Sequence, residues 1–169
     1  REVLSIRENG PSRVVTLDGG AEIGCHSVLI ATGVHYSRLD APGVEALTGS
    51  GVYYGASPAE AAAVEGEDVV VVGAANSAGQ AAVDLATRAR RVVMLCRADG
   101  LEKSMSHYLI ERIRSLANVE VTPQAVVTAA AGDGRLEELA VAVAGREERL
   151  SVTAAFVFIG ARPQTDWLG

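Results

Sequence analysis

Val69-Val70-Val71-Val72-Gly73-Ala74-Ala75-Asn76-Ser77-Ala78-Gly79 is the stretch whose reading decides the fold of this chain. Four consecutive β-branched residues suit a parallel strand covered on both faces. Gly73 permits a sharp turn, and the alanine-rich segment after it reads as a helix whose N-terminus that turn aims at a ligand. The free N–H groups of such a helix start favour a pyrophosphate, so the stretch reads as the opening of a dinucleotide-binding βαβ unit. Set against Gly-x-Gly-x-x-Gly/Ala, Gly73 holds the first position and Ala78 the third. Ala75 stands at the second, where the backbone should come closest to phosphate, and an ordinary strand-turn-helix is the alternative for a fingerprint with that departure.

The pattern around this stretch alternates: strand 68–73, helix 76–89, strand 91–96, helix 104–117 and a short strand 119–122. That order predicts a right-handed, parallel α/β core. Ala78, Ala82, Leu85, Ala86 and Ala89 give the first helix a small-residue face, and Met105, Leu109, Ile113 and Leu116 recur at helical spacing in the second and read as core. Residues 124–131, 136–143 and 148–153 form a three-stranded antiparallel meander with turns at Gly132-Asp133-Gly134 and Gly145-Arg146, before the apolar strand Phe156-Val157-Phe158-Ile159-Gly160. Upstream, 2–8 and 13–17 read as strands joined by Asn9-Gly10-Pro11-Ser12, and a third runs through Val28-Leu29-Ile30 to Ala31-Thr32-Gly33. Ser57-Pro58-Ala59-Glu60 supplies an N-cap, a proline at the first helical position and a capping glutamate, which predicts a short helix over 58–64.

The same ending therefore occurs twice, at Gly33 and at Gly160, each a meander followed by an apolar strand that stops at a glycine. Only the second has a βαβ half in front of it. The first reads as the tail of a nucleotide-binding domain whose own glycine fingerprint lies outside this sequence, so a fragment of a longer protein is expected.

At 169 residues and 49% hydrophobic, the chain can bury a substantial core. Its net charge of −6 leaves no global footprint for nucleic acid or an acidic membrane surface. No apolar run approaches the roughly 18 residues that span a bilayer, and the charged start Arg1-Glu2-Val3-Leu4-Ser5-Ile6-Arg7 is unlike a signal peptide, so a cytoplasmic protein is expected. Cys25 and Cys96 lack the spacing of a zinc site or a redox pair and read as small buried residues. His26, His35 and His107 share no motif with a carboxylate or serine, so neither a catalytic side chain nor a metal ligand is expected.

From Val28 to Leu168 the sequence resembles the thioredoxin reductase family, a branch of the pyridine nucleotide-disulfide oxidoreductases with two dinucleotide-binding units, the second inserted into the first. The carriers are Val28-Leu29-Ile30-Ala31-Thr32-Gly33, Gly51-Val52-Tyr53-Tyr54, Gly73 to Ala78, Arg97 after the second strand, and Phe158-Ile159-Gly160-Ala161-Arg162-Pro163-Gln164-Thr165. The resemblance implies a Rossmann-like FAD/NAD(P)-binding α/β fold, a parallel sheet with helices plus a three-stranded antiparallel meander. It divides the chain into a partial FAD-domain segment with linker at 1–50, an NADP(H)-binding domain at 51–160 and a stub returning toward the FAD domain at 161–169. Where the family's redox-active enzymes carry a Cys-Ala-Thr-Cys dithiol, this chain reads Gly55-Ala56-Ser57-Pro58. The resemblance then leaves hydride transfer from NADPH to a flavin, bound only in the full-length parent, with electrons passed to an unknown acceptor. A homodimeric parent is compatible with it.

NAD-binding units usually end their second strand with an acid that accepts from the ribose 2′-OH. Here Cys96-Arg97 stands there, and a guanidinium fits a 2′-phosphate, which favours NADP(H). Arg88, Arg90, Arg91, Lys103, Arg112 and Arg114 cluster in sequence around Arg97 and could concentrate a dianionic group, or simply form a solvated face. Asp99 keeps NAD(H) open; the family's second arginine is replaced by Ala98; Ser104 and Ser106 could donate to phosphate, and Ser104 could equally be the N-cap of the second helix. The expected nucleotide contacts are Gly73, Ala74, Ala75, Asn76, Ser77, Ala78, Arg97, Lys103, Ile159 and Gly160, with Ala31, Thr32 and Gly33 marking the end of the flavin-domain strand. The excised piece should bind dinucleotide without catalysing. Its rivals are a degenerate nucleotide-sensing or protein-interaction module, and a disulfide reductase using cysteines elsewhere in a longer chain.

Overall fold

Gly10, at φ +59°, turns the chain between β1 (Val3–Asn9) and β2 (Ser12–Leu17) in the computed structural model, which describes residues 1–168. β3 (Glu22–Cys25) completes an antiparallel meander in the order β1-β2-β3. The expected continuation of the third strand through Val28-Leu29-Ile30 does not form, and Leu29 is 91% exposed. An apolar strand of that kind needs neighbours along its edges and cover on its faces, and the described residues supply neither. β4 (Val34–Tyr36) follows Gly33.

The next stretch opens with β5 (Val52–Tyr53) and α1 (Pro58–Ala62). Ser57 caps α1 as its sequence predicts: its Oγ accepts from the Glu60 N–H at 3.3 Å while its own N–H donates to Glu60 Oε2 at 2.7 Å. Then come β6 (Asp68–Val72), α2 (Asn76–Leu85), β7 (Arg91–Leu95), α3 (His107–Arg114) and β8 (Val119–Thr122). The meander β9 (Ala125–Ala131), β10 (Glu138–Val143) and β11 (Arg146–Ser151) leads into β12 (Ala154–Val157), which lies between β5 and β6 in a parallel sheet of order β5-β12-β6-β7-β8. This is the expected α/β architecture, a parallel sheet with helices and a three-stranded antiparallel meander.

The valine run explains itself in the two cores. Val69 and Val71 pack with Ala78, Ala82, Leu85, Leu109, Ile113 and Phe156 under the helices, while Val70 and Val72 pack with Val127, Leu139 and Val141 under the meander. Alternate residues of a strand point to opposite faces, so a strand covered on both sides has no polar position to spare.

Both long helices are shorter than expected, each for a visible reason. α2 ends at Leu85 where its hydrogen bonds tighten to the i→i−3 kind, from the Thr87 N–H to Asp84 and the Arg88 N–H to Leu85, and Asn118 Nδ2 donates to the terminal carbonyls of Ala86 and Ala89 at 2.9 and 3.2 Å. α3 starts at His107 because Ser104 and Ser106 are engaged with the turn after β6, described below. The meander's second turn is Ala144-Gly145 rather than Gly145-Arg146: φ values of +47° and +82° match a two-residue hairpin turn, and β11 starts at Arg146.

The chain divides into two compact units, one of Arg1–Ser37 with the residues from Gly160 onward, the other of Arg38–Ile159. Residues 38–50 therefore go with the larger unit rather than with the first segment. Val44 and Leu47 are buried in its meander-side core, and Pro42 and Ser50 carbonyls accept from Ala130 and Leu136 N–H groups, each at 2.8 Å. In the smaller unit β13 (Ala161–Pro163) pairs antiparallel with β4. Of the 161–169 stub, Gly169 lies outside the described residues. Among the described residues no helix is long and apolar enough to cross a membrane.

Gly51, at φ +113°, joins β5 to the meander; a Cβ there would overlap the Leu136 side chain and stand 3.0 Å from the Thr153 carbonyl oxygen. Gly51→Ala is expected to lower stability by roughly 2 kcal/mol or more, read as the midpoint of a urea melt; an unchanged midpoint contradicts this packing.

Candidate functional site

Ligands of open parallel sheets sit outside the carboxyl ends of the strands, and there the chain turns sharply at Gly73. The Gly73 N–H donates to the Leu95 carbonyl at 3.0 Å, which extends the β6–β7 ladder by one residue. Gly73 then takes φ +142°, and a Cβ on it would overlap the Phe158 carbonyl oxygen and lie 3.2 Å from the Ala78 Cβ. Only glycine serves at this point, and only a small residue serves at Ala78, which is fully buried. Ala74 is half-buried, whereas Ala75, Asn76 and Ser77 are exposed.

Ala75 is the N-cap of α2 and offers its helix no side-chain acceptor. The first N–H groups of the helix thus lack the usual capping partner and face the side on which the turn delivers them. Beside them, Ser106 Oγ is buried without a hydrogen-bond partner. An uncapped helix start, a close backbone approach and an orphaned hydroxyl fit the pyrophosphate of a dinucleotide.

Arg97 follows β7 two residues beyond the last registered pair, Val72 with Leu95. It is exposed and makes no ion pair among the described residues, unlike Lys103, whose Nζ lies 3.5 Å from Asp99 Oδ2. Asp99 is also taken by Gln124, whose Nε2 donates to it at 2.9 Å. The Gln124 hydrogen bond, with Lys103 beside it, holds the Asp99 carboxyl below the usual carboxylate range. That carboxylate already has its partners, which counts against a role as a ribose acceptor.

The sequence cluster of basic residues does not assemble at the site. Arg90 pairs with Asp68 at 2.8 Å and Arg91 with Glu120 at 2.6 Å. Asp68 and Arg91 open β6 and β7, a strand length of about 16 Å from the carboxyl ends. Arg114 is shared between Glu102 at 2.7 Å and Glu111 at 3.2 Å. The N-cap expected at Ser104 lies at Ser106 instead, which holds that position of α3 without a capping hydrogen bond, while Ser104 Oγ donates to the Ala74 carbonyl at 2.8 Å. The tie between residues 104–106 and the turn is not visible in sequence; a Ser-x-Ser ahead of a helix is its only trace.

Cys96 is fully buried at the end of β7, and burial, with the negative charge of Glu102, pushes its thiol up to about 11. Cys25, expected to be buried, is only half-buried on the edge strand β3. Among the described residues no group of three or more His, Cys, Asp or Glu side chains is placed to hold a metal ion.

Ile159 is 38% exposed just after β12, at the same end of the sheet as Gly73. Gly160 falls in the smaller unit. There too lie Ala31, Thr32 and Gly33, all exposed, with Thr32 Oγ1 donating to the Gln164 carbonyl at 2.6 Å and Gly33 accepting from the Gln164 N–H at 3.0 Å. The described residues of that unit include no α-helix, so they do not by themselves fit the pyrophosphate of FAD.

The family model described as pyridine nucleotide-disulphide oxidoreductase matches residues 1–169. The chain is similar to an alkyl hydroperoxide reductase subunit of Staphylococcus aureus strain MRSA252, 35% identical over 159 residues that cover 91% of this chain and 30% of that protein. The Staphylococcus epidermidis protein of the same name is 32% identical over 156 residues, with the same shares. The chain thus spans about 30% of the length of these curated relatives. Among solved structures, thioredoxin reductase from Streptococcus pyogenes MGAS5005 has a TM-score of 0.75 at 26% identity, over 97% of this chain and 53% of that one. Thioredoxin reductase from Giardia duodenalis has a TM-score of 0.83 at 24% identity, over 99% and 55%, a likeness of fold.

The Cys96 thiol generates a pH test. It stays protonated in the folded chain up to about 11, against an ordinary value of 9.0 once unfolded. Its stabilising contribution is whole below pH 9 and is lost as pH rises through that window. The unfolding free energy should fall between pH 9 and 11 by on the order of 2 kcal/mol more than in Cys96→Ala, measured by denaturant melts; parallel pH profiles contradict the assignment.

Proposed function

The chain belongs to the pyridine nucleotide-disulphide oxidoreductase family, whose members couple FAD to a pyridine nucleotide, and from that premise we propose that residues 38–159 are the NADP(H)-binding domain of a thioredoxin-reductase-like flavoprotein. The smaller unit, in this reading, is a piece of the FAD domain. The bound dinucleotide supplies a hydride for the flavin of the complete protein. The chain's own part is to bind and orient. Uncapped N–H groups of α2 receive the pyrophosphate, with Gly73 and Ala78 bringing helix and backbone close, and Arg97 receives the 2′-phosphate.

The observation that carries this reading is the contrast after β7, where the guanidinium of Arg97 has no ion-pair partner among the described residues and the carboxylate of Asp99 has two. A cation without an internal partner favours an anionic ligand group, and a satisfied carboxylate cannot readily take a ribose hydroxyl. Residues 55–58 read Gly-Ala-Ser-Pro and Ser57 is spent on its capping box, so electrons leave by a route other than a dithiol in this segment. Ala75 supports a second reading, a sensing or interaction module, because its methyl stands where phosphate should approach the backbone.

Arg97→Ala is expected to weaken NADPH binding by roughly one to two orders of magnitude, since a hydrogen bond to a charged group contributes about 1.5–3 kcal/mol, and to change NADH binding little. Calorimetric titration with both nucleotides checks it; equal losses, or none, leave Arg97 a surface charge. The isolated chain is also expected to purify colourless, and stoichiometric flavin retained through gel filtration contradicts the assignment of the smaller unit.

A further inference from the structure

Three consecutive residues before α3 hold three positions around the dinucleotide turn. Ser104 Oγ donates to the Ala74 carbonyl at 2.8 Å, and the Ser106 N–H donates to Asn76 Oδ1 at 2.8 Å. Between them Met105 packs on the first turn of α2 so closely that a Cβ on Gly79 would lie 2.8 Å from its sulfur. The other end of the same loop is tied as well, by the Gln124 N–H to the Ala98 carbonyl at 3.0 Å and by Gln124 to Asp99 at 2.9 Å. Among the described residues Arg97 is the cation of this loop that no ion pair restrains, while Lys103 is held by Asp99.

We propose that Ser104 is a positioning residue for nucleotide selection: with Met105 and Ser106 it clamps the loop that carries Arg97 to the turn that carries the pyrophosphate. The inference rests on the reading that this turn binds a nicotinamide dinucleotide. A polar tie to a backbone carbonyl suits the task, because Ala74 sits between the end of β6 and the helix start and its carbonyl is otherwise outside both ladders. Fixing the loop lowers the ordering cost that Arg97 pays when it closes on a phosphate. The effect is then confined to a ligand that has the 2′-phosphate. Any group of the loop that reaches this phosphate benefits, whereas the pyrophosphate is held by the helix start in either case.

Ser104→Ala and Ser104→Thr test this in the chain as it is, with NADPH and NADH as probes. In Ser104→Ala, amide hydrogen exchange of residues 101–106 in the ligand-free chain should quicken about fivefold, the equivalent of one hydrogen bond. The ratio of NADPH to NADH affinity should fall about three- to tenfold. Ser104→Thr, which keeps the hydroxyl, should restore both, and adding Ser104→Ala to Arg97→Ala should change the ratio no further. Unchanged exchange, or a ratio that stays constant while both affinities fall together, overturns the proposal. If Arg97→Ala leaves the ratio unchanged but Ser104→Ala lowers it, the assignment of Arg97 fails and the clamp stands, acting through another group of the loop. A chain that binds neither nucleotide ends the functional reading and the selective role together, while the exchange data still report the clamp.

Discussion

The close approach of Gly73 to the Phe158 carbonyl is the constraint on which the site depends. β6 and β12 are parallel neighbours that end together, with Val72 registered against Val157. The chain leaving β6 must pass under the chain leaving β12 before it turns into α2. Any side chain at Gly73 would push the two exits apart and lift the helix start from the sheet. The direction of α2, the burial of Ala78 and the placement of Ala74 through Asn76 all follow from a missing Cβ.

What holds the turn still is the sheet behind it. Val69 to Val72 are buried on both faces, and full burial of such a side chain contributes about 1.5–3 kcal/mol relative to exposure. The loop after β7 is held in two ways, by Leu101 and Met105, which are buried in the helix-side core, and by hydrogen bonds among exposed groups, each worth about 1 kcal/mol net. The carboxyl end of the sheet therefore joins a rigid turn to a loop anchored by two buried side chains, whose exposed residues Asp99 and 102–104 are ordered by polar ties. Local opening of the exposed part of such a loop costs less than global unfolding, which makes it the natural place for nucleotide preference to be tuned.

The valine run, the alternation of strand and helix, the meander and the capping box of Ser57 were legible in the sequence because each rests on local periodicity or on a short-range hydrogen bond. Val28-Leu29-Ile30 has equally strong strand composition, yet strand formation needs neighbours that the described residues do not provide. The partner that satisfies the last carbonyls of α2 was invisible because it is Asn118, 32 residues beyond Ala86. The basic residues were open to two readings for a related reason: Arg90, Arg91 and Arg97 are close in sequence, but β7 carries the first two and the third to opposite ends of the sheet, which leaves the solvated-face reading for Arg90 and Arg91. The place of Arg97 just after β7 was legible by its distance from Gly73, while the commitment of Asp99 to Gln124 depends on a tertiary contact.

The most direct measurement is an NMR titration of the chain with NADPH, following backbone amide shifts residue by residue. The largest shifts are expected at the N–H groups of Ala74 to Ala78 and in the loop from Arg97 to Ser106, with the amides of Asp68 and Arg91 at the other end of the sheet unmoved. Shifts concentrated at those strand starts, or no shift at the turn with saturating nucleotide, would contradict binding at the turn.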